Sequence, residues 1–124
     1  MNERGLSMAI KTKRIYEQPG RSDGVRVLVD RLWPRGVLKE KAHVDEWMKE
    51  IAPSDTLRRW FSHKEARWAE FQKRYSEELQ SPQRQVLLRR LRSMARKGTV
   101  TLLFAAKDEE YNNVQVLSSL MKQR

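Results

Sequence analysis

The sequence predicts a small α/β protein, a layered fold in which a short, mostly parallel central sheet is flanked by helices. Two apolar segments, residues 25–30 and 99–106, are typical of buried strands. Between them the spacing of apolar residues becomes that of helices, and a helical crossover of this kind joins parallel strands. The order strand, strand, several helices, strand, helix therefore favours a layered α/β domain.

The strands are defined by β-branched residues and bounded by turns. Residues 9–16 mix β-branched and aromatic residues with basic ones, and the turn-rich residues 17–24 end this first strand. The second strand carries Val25, Val27 and Val29 and runs into Asp30. Because the first loop, of about eight residues, is shorter than a usual parallel crossover, the direction of the first strand is left open.

The helices are defined by apolar residues at steps of three and four. Five helices are predicted. The first runs from His43 to the residue before Pro53, and the second is a short helix capped by Ser54. The other three cover residues 68–79, residues 82–97 and the segment from about Glu109. Ser81 and Pro82 suit the start of the fourth helix, and Gly98 suits its end. Five apolar residues are expected in the core: Trp47, Phe71, Leu91, Leu103 and Leu117.

The length of 124 residues and mass of 14.8 kDa suit one domain. We expect residues 1–8 to form a flexible leader and residues 9–124 the domain. The absence of cysteine excludes disulfides, thiolate nucleophiles and cysteine-ligated zinc, and two histidines are too few for a histidine-rich metal site. No apolar run approaches the ~18 residues that a membrane helix needs, and no secretory signal is found, so a cytoplasmic protein is expected. No glycine-rich phosphate or dinucleotide motif occurs, so no cofactor is predicted.

The net charge of +10 comes from 26 basic against 16 acidic residues and favours anionic partners. A solvated basic surface explains it equally well. The fourth helix presents Arg89, Arg92 and Arg96 on one side, and these arginines could follow a nucleic-acid backbone. A neighbouring helix-turn-helix signature is missing, so sequence-specific reading is not predicted.

Charged residues follow both strands of the expected parallel pair. Asp30 and Arg31, with Arg35 just beyond, follow the second strand, and Lys107 and Asp108 follow the third. Parallel strands bring their carboxyl ends to one edge, where ligands gather in open α/β sheets. We therefore take Asp30 and Asp108 as candidate catalytic carboxylates. The candidate ligand-binding residues are Arg31, Arg35, Lys107 and Asn112, and the start of the last helix would favour an anion.

A structural interpretation of the same residues is equally concrete. Asp108 can cap the last helix, and Asp30 can pair with Arg31 or Arg35 to hold the loop around Trp33 and Pro34. His63 is a third catalytic candidate, as a general base near neutral pH, although a lone histidine is more often a hydrogen-bonded structural group. His43 is expected on the surface near a helix start. Tyr75 is expected in the core with a satisfied hydroxyl.

The segment Asp30–Gly36, which reads D-R-L-W-P-R-G, resembles the YeaO-like family, also called domain of unknown function 488. Similar words recur along residues 9–122: Lys13–Tyr16, Asp23–Gly24, Lys49–Ser54, Trp60–Phe61, Glu78–Leu79, Thr101–Leu103, Lys107–Asp108 and Asn112. The resemblance implies a compact bacterial or archaeal α/β fold, and no established reaction or cofactor. Tyr111 departs from the family, in which a histidine or another polar residue often precedes the asparagine.

Two functions are compatible with these observations. The first is a binding or enzymatic domain for a phosphate-bearing or other anionic small molecule at the strand ends. The alternative is a nucleic-acid-binding module without catalysis that uses Arg89, Arg92 and Arg96. The sequence makes no prediction about the oligomeric state.

Overall fold

The computed structural model describes residues 9–122, so the expected leader over residues 1–8 lies outside the described residues. Four parallel strands form one sheet in the order β1-β4-β2-β3. Their bounds are Ala9–Arg14 for β1, Val25–Leu28 for β2, Glu46–Trp47 for β3 and Thr99–Phe104 for β4. The predicted α/β class is confirmed. The direction of β1, left open by its short loop, is parallel, with Ala9 opposite Thr99 and Arg14 opposite Phe104.

The α-helices are α1 Lys39–Ala42, α2 Asp55–Phe61, α3 Trp68–Glu78, α4 Pro82–Lys97 and α5 Asn113–Lys122. Short 3-10 turns lie at Arg21–Asp23, Lys49–Ile51 and Glu65–Arg67. The Ser54 hydroxyl accepts the Leu57 N–H at 3.1 Å and thus caps α2. Ser81 caps α4, and the Gly98 N–H closes its last turn on the Met94 carbonyl, so the predicted caps at Ser54, Ser81 and Gly98 are confirmed. No described helix has the length and apolar character needed to cross a membrane.

The main core lies between one face of the sheet and the helices. Val27, Val29 and the alternate β4 residues Val100, Leu102 and Phe104 pack against buried helical side chains. Phe71, Leu91 and Leu117 belong to this core as predicted, and Leu103 is buried on the opposite face. The Tyr75 hydroxyl, also buried, donates to the Ile51 carbonyl at 2.7 Å. Trp47, predicted to lie in the core, is only half-buried at the edge of the sheet.

Within residues 9–122, no long helix covers the second face of the sheet, which divides into an apolar and a charged half. Ile15, Leu28 and Leu103 are covered by the loop and short helix after β2, including Trp33 and Ala42. Toward the amino ends of the strands, the buried Asp23 pairs with Lys13 at 3.0 Å and with Arg26 at 2.5 Å. This ion cluster lies at the opposite end of the strands from the residues that follow β2 and β4.

The predicted helix over residues 43–52 is wrong. The segment runs as the edge strand β3 and then a 3-10 turn, since Asp45 and Met48 donate their N–H groups to the β2 carbonyls of Arg26 and Leu28, both at 2.8 Å. A two-residue strand is too short to show alternation, and the 3-10 turn reproduces a three-residue apolar spacing. His43 is exposed as expected, but it follows α1 in a left-handed conformation with φ of 52°.

The last helix begins at Asn113, four residues after the predicted start. The Asp108 Oδ1 accepts the N–H groups of Glu110 at 2.9 Å and Tyr111 at 3.0 Å, which forms a turn. The Asn112 Oδ1 then accepts the N–H of Val114 at 2.8 Å. Two side chains that cap backbone in this way delay the helix, because each offers the chain an alternative to helical hydrogen bonds.

Candidate functional site

A pocket of about 410 Å³ opens at the carboxyl ends of β2 and β4. Its walls are the loop Asp30–Arg35, the pairs Ala52–Pro53 and Ala105–Ala106, and side chains from α2, α3 and the start of α5. Small-molecule sites span about 300–1,000 Å³ and often lie at this edge of an α/β sheet. The pocket is thus large enough for a small ligand and lies where the topology favours one.

Asp30 is the acidic group of the pocket. It follows β2, and its Oδ2 accepts the N–H of Ala105, which follows β4, at 2.8 Å. Its main-chain oxygen accepts the indole N–H of Trp47 at 2.8 Å. Burial raises the pKa of Asp30, while the Ala105 N–H, the Asn113 amide and the charge of His63 act in the opposite direction. Asp30 belongs to no ion pair between described residues, so the expected pairing with Arg31 or Arg35 is not formed.

Arg31 anchors the loop after β2. Its Nε donates to the Pro53 carbonyl at 3.1 Å and its Nη2 to the Ala52 carbonyl at 3.3 Å. The third nitrogen, Nη1, lies 4.0 Å from a carboxylate oxygen of the exposed Glu50. Although Arg31 lines the pocket, most of its donors already have partners. These contacts indicate that Arg31 mainly holds the loop after β2 against Ala52 and Pro53 and is less free to bind a ligand.

Arg35 is held at the rim by the main chain. The Tyr16 hydroxyl donates to the Arg35 carbonyl at 3.0 Å, and the Trp33 indole donates to the Val37 carbonyl at 2.8 Å. Both bonds fix the loop while the Arg35 side chain stays exposed. Within residues 9–122 its guanidinium makes no hydrogen bond or ion pair, so its fork is available to an anion.

Arg58 is a second rim cation that the sequence did not place in the site. It lies on α2, lines the pocket, and pairs at 2.5 Å with Asp55 one turn away while remaining exposed. In the sequence, Arg58 stands beside Trp60, where an arginine can stack on a base or a flat anion or simply face solvent; in the structure the Trp60 ring is approached by Arg67 and Arg74 instead. No local signal distinguishes position 58, because only the packing of α2 beside the loop brings it to the pocket.

His63 also lines the pocket, next to Asp30. It follows α2 in the left-handed conformation, with φ of 55° after a φ of 45° at Ser62, and its ring lies 5.7 Å from that of Phe61. In the described part of the chain, His63 makes no side-chain hydrogen bond to Asp30 or Asp108. Its role as a general base stays a prediction.

The other predicted strand-end residues divide into one that lines the pocket and two that do not. Asn112 lines it, but its amide is already used: Nδ2 donates to the Asp108 carbonyl at 2.7 Å and Oδ1 caps α5. Asp108 does not line the pocket, and the N–H groups of Tyr111 and Glu110 lower its pKa. Lys107 is exposed and also lies outside the lining. The pocket therefore brings together Asp30, Arg31, Arg35, Asn112 and His63.

The basic residues of α4 lie away from this pocket. Arg92 is half-buried and donates to the Leu120 carbonyl at 3.0 Å, while Arg89 and Arg96 are exposed. Arg90 forms a two-point pair with Glu46, at 2.8 and 3.1 Å. Two of the three arginines proposed for nucleic acid therefore point to solvent. Among the residues with described positions, no group of three or more His, Asp or Glu side chains is arranged to hold a metal ion.

The relationship to known proteins extends over nearly the whole chain, including the D-R-L-W-P-R-G segment beside the pocket. A family model described as "Inactive DUF488-N3 subclade" matches residues 9–124. The chain belongs to the YeaO-like DUF488 family. Among DUF488 relatives, the uncharacterized protein YeaO of Escherichia coli is 41% identical over 115 residues, which cover 93% of this chain and 98% of YeaO. An uncharacterized Mycobacterium tuberculosis protein is 37% identical, covering 93% of this chain and 95% of the relative. No solved structure matches the chain significantly.

Proposed function

We propose that the pocket binds a small phosphate-bearing or otherwise anionic molecule without catalysing a reaction on it. The observation that carries the proposal is the pair of exposed guanidiniums, Arg35 and Arg58, on the rim of a 410 Å³ pocket. Planar guanidinium groups recognise phosphate and carboxylate oxygens in two-point geometry. The interior supplies apolar surface from Phe61, Phe71 and Pro53, which suits the body of the ligand.

The charge of the whole chain supports an anion over a cation. A net charge of +10 raises the local concentration of anions around the protein and speeds their arrival. Within the site, Asp30 is the acidic lining residue, against Arg31, Arg35 and Arg58. The lining is therefore cationic on balance, and its two exposed guanidiniums are the first groups that an entering ligand meets.

Binding without catalysis is favoured by how the predicted catalytic groups are used. The Asp108 carboxylate caps the turn before α5, and the Asn112 amide caps α5 itself. A general base needs hydrogen-bond reach to an orienting partner and to the proton it removes. In the described structure His63 has no such bond to a carboxylate. The description of the family as an inactive subclade supports the same conclusion.

Calorimetric titration with phenyl phosphate, and with inorganic phosphate for comparison, tests the proposal. Phenyl phosphate presents a phosphate to the rim and a flat apolar ring to the interior. We expect Arg35→Ala and Arg58→Ala each to weaken its binding by about tenfold or more, because each loses a charge-assisted contact. Arg89→Ala is the matched control, since it removes one exposed positive charge from α4.

Two results would contradict the proposal. One is an equal loss of affinity in Arg89→Ala, which would mean that only the overall charge attracts the anion. The other is an absence of saturable binding by the unmodified protein. Unchanged far-UV circular dichroism of each variant confirms that the fold is intact.

A further inference from the structure

We propose that the bound molecule carries a flat ring with an N–H donor opposite its phosphate, as the amino-bearing base of a nucleoside monophosphate does, and that Asp30 accepts this hydrogen bond. The inference rests on the proposed function and specifies the ligand of the same pocket. It assigns Asp30, the less exposed group, as an acceptor that selects the ligand, while the exposed Arg35 and Arg58 hold the phosphate.

The first support is the state of the Asp30 carboxylate. Oδ2 accepts the Ala105 N–H at 2.8 Å, and the other oxygen makes no hydrogen bond to a residue in the described range. The Asn113 amide lies near the carboxylate and favours its ionised form, but its hydrogen bond goes to the Val29 carbonyl at 3.2 Å, and Arg31 is turned toward Ala52 and Pro53. A carboxylate taken out of water needs donors, and here one oxygen is left for a donor from outside the chain.

The second support is that several main-chain acceptors around Asp30 already have donors. The carbonyls of Ala52 and Pro53 accept from Arg31. Those of Ala105 and Ala106, in the opposite wall, accept from Arg14 at 3.0 and 2.9 Å. The carbonyl of Asp30 accepts from Trp47. The lining thus offers one free carboxylate oxygen.

A single free carboxylate oxygen discriminates between classes of donor. An aliphatic ammonium group brings three N–H bonds that all need acceptors once water is lost. The amino group of a heteroaromatic ring is neutral and flat, so one strong hydrogen bond to Asp30 is enough to orient it. The apolar side chains of Phe61, Phe71 and Pro53, which line the same pocket, also suit a ring better than a flexible polar chain. Together these features favour an amino-bearing nucleobase.

The test compares two nucleotides that differ only in this amino group. Adenosine 5′-monophosphate and purine riboside 5′-monophosphate are titrated into the full chain, and cytidine 5′-monophosphate and zebularine 5′-monophosphate form a second pair. In at least one pair the amino-bearing nucleotide should bind about tenfold tighter or more, as expected for a lost bond to a charged acceptor. The comparison uses the unmodified protein, so it does not depend on the folding of a variant.

Asp30→Asn then tests whether Asp30 causes the preference. An asparagine oxygen can still accept the Ala105 N–H, but its amide group turns donors toward the ligand. The preference should therefore disappear, while Arg35→Ala should weaken both nucleotides of a pair equally.

The inference is overturned if both members of each pair bind equally to the unmodified protein, if neither member binds, or if the preference survives in Asp30→Asn. Binding of phenyl phosphate that depends on Arg35 would leave the proposed function standing in all three cases. A failure of phenyl phosphate to bind would instead remove the proposed function itself.

Discussion

The carboxylate of Asp30 accepts the main-chain N–H of Ala105 at 2.8 Å, so the residues that follow β2 and β4 are joined directly by one hydrogen bond. This bond sets the spacing of the two chain segments that form opposite walls of the pocket. It also uses only one of the two carboxylate oxygens. The same residue thus serves the fold and, in our proposal, the ligand.

Asp30 should make stability depend on pH. Burial raises its folded-state pKa above the ordinary 3.8, so the folded protein holds the proton more tightly than the unfolded chain. Its favourable contribution is present below pH 3.8 and is lost as the pH rises through the folded-state pKa. The Asp30→Asn variant keeps an acceptor for Ala105 but cannot ionise at this position. As the pH rises through this range, the free energy of unfolding of the unmodified protein should therefore fall relative to that of the variant. Urea unfolding at a series of pH values measures the difference, and parallel curves would contradict the assignment.

Asp23 should behave in the opposite way. Burial opposes its ionisation, but the Gly20 N–H, Lys13 and Arg26 outweigh this effect and hold its pKa far below 3.8. Its contribution is therefore present above pH 3.8 and is lost as the pH falls through the folded-state pKa. At neutral pH, Asp23→Asn should cost about 3–5 kcal/mol of unfolding free energy, because the buried Arg26 is left without its counter-ion.

The matched control for Asp23 is Glu70→Gln, which removes an exposed pair with Arg74 and should change stability little. Equal effects of Asp23→Asn and Glu70→Gln on the urea midpoint would mean that the buried cluster does not stabilise the fold.

The core should be sensitive to loss of volume at Leu91 and Leu103, which are fully buried on opposite faces of the sheet. Replacing either by alanine should cost about 2–5 kcal/mol, from lost transfer free energy and the cavity left behind. Val86→Ala on the exposed side of α4 is the control, since Val86 is 54% exposed. Chemical denaturation measures all three variants, and an unchanged midpoint for either leucine variant would remove that residue from the core.

The nucleic-acid alternative predicts binding through α4. If Arg89 and Arg96 contact a phosphate backbone, affinity for mixed DNA or RNA should fall steeply with salt, because each neutralised phosphate releases counter-ions. Charge reversal at both positions should abolish binding, whereas Arg92→Ala should act through stability, since Arg92 anchors the Leu120 carbonyl. Fluorescence anisotropy across salt concentrations distinguishes these cases. Binding that is absent or insensitive to salt would make the basic face a feature of solubility.

Much of the fold could be predicted because burial leaves a periodic pattern in the sequence. The apolar run of β4 and the steps of three and four in α3 and α4 reflect the faces that these elements bury. The edge strand β3 could not be predicted, since its two residues are paired through the main chain to β2. Pairing through the main chain cannot be predicted from the periodicity of side chains.

The candidate site could be predicted only in part, for a similar reason. Asp30 and Arg35 were found because charges follow a buried strand, and topology alone brings them to the sheet edge. The turn of Arg31 toward Ala52 and Pro53, and the approach of Arg58 from α2, depend on how distant segments pack. Asp108 illustrates the remaining ambiguity, because a carboxylate that caps a turn and one that binds a ligand can occupy the same position in a sequence.

The most direct test of the account is an NMR titration of the isotopically labelled protein with phenyl phosphate. We expect saturable shifts of the Arg35 side-chain Nε–H, the Trp33 indole N–H and the main-chain N–H of Ala105, all from residues that line the pocket. The α4 residues Arg89 and Arg96 should move little. Shifts confined to α4, or shifts that grow linearly without saturating, would contradict the claim that this pocket binds an anion.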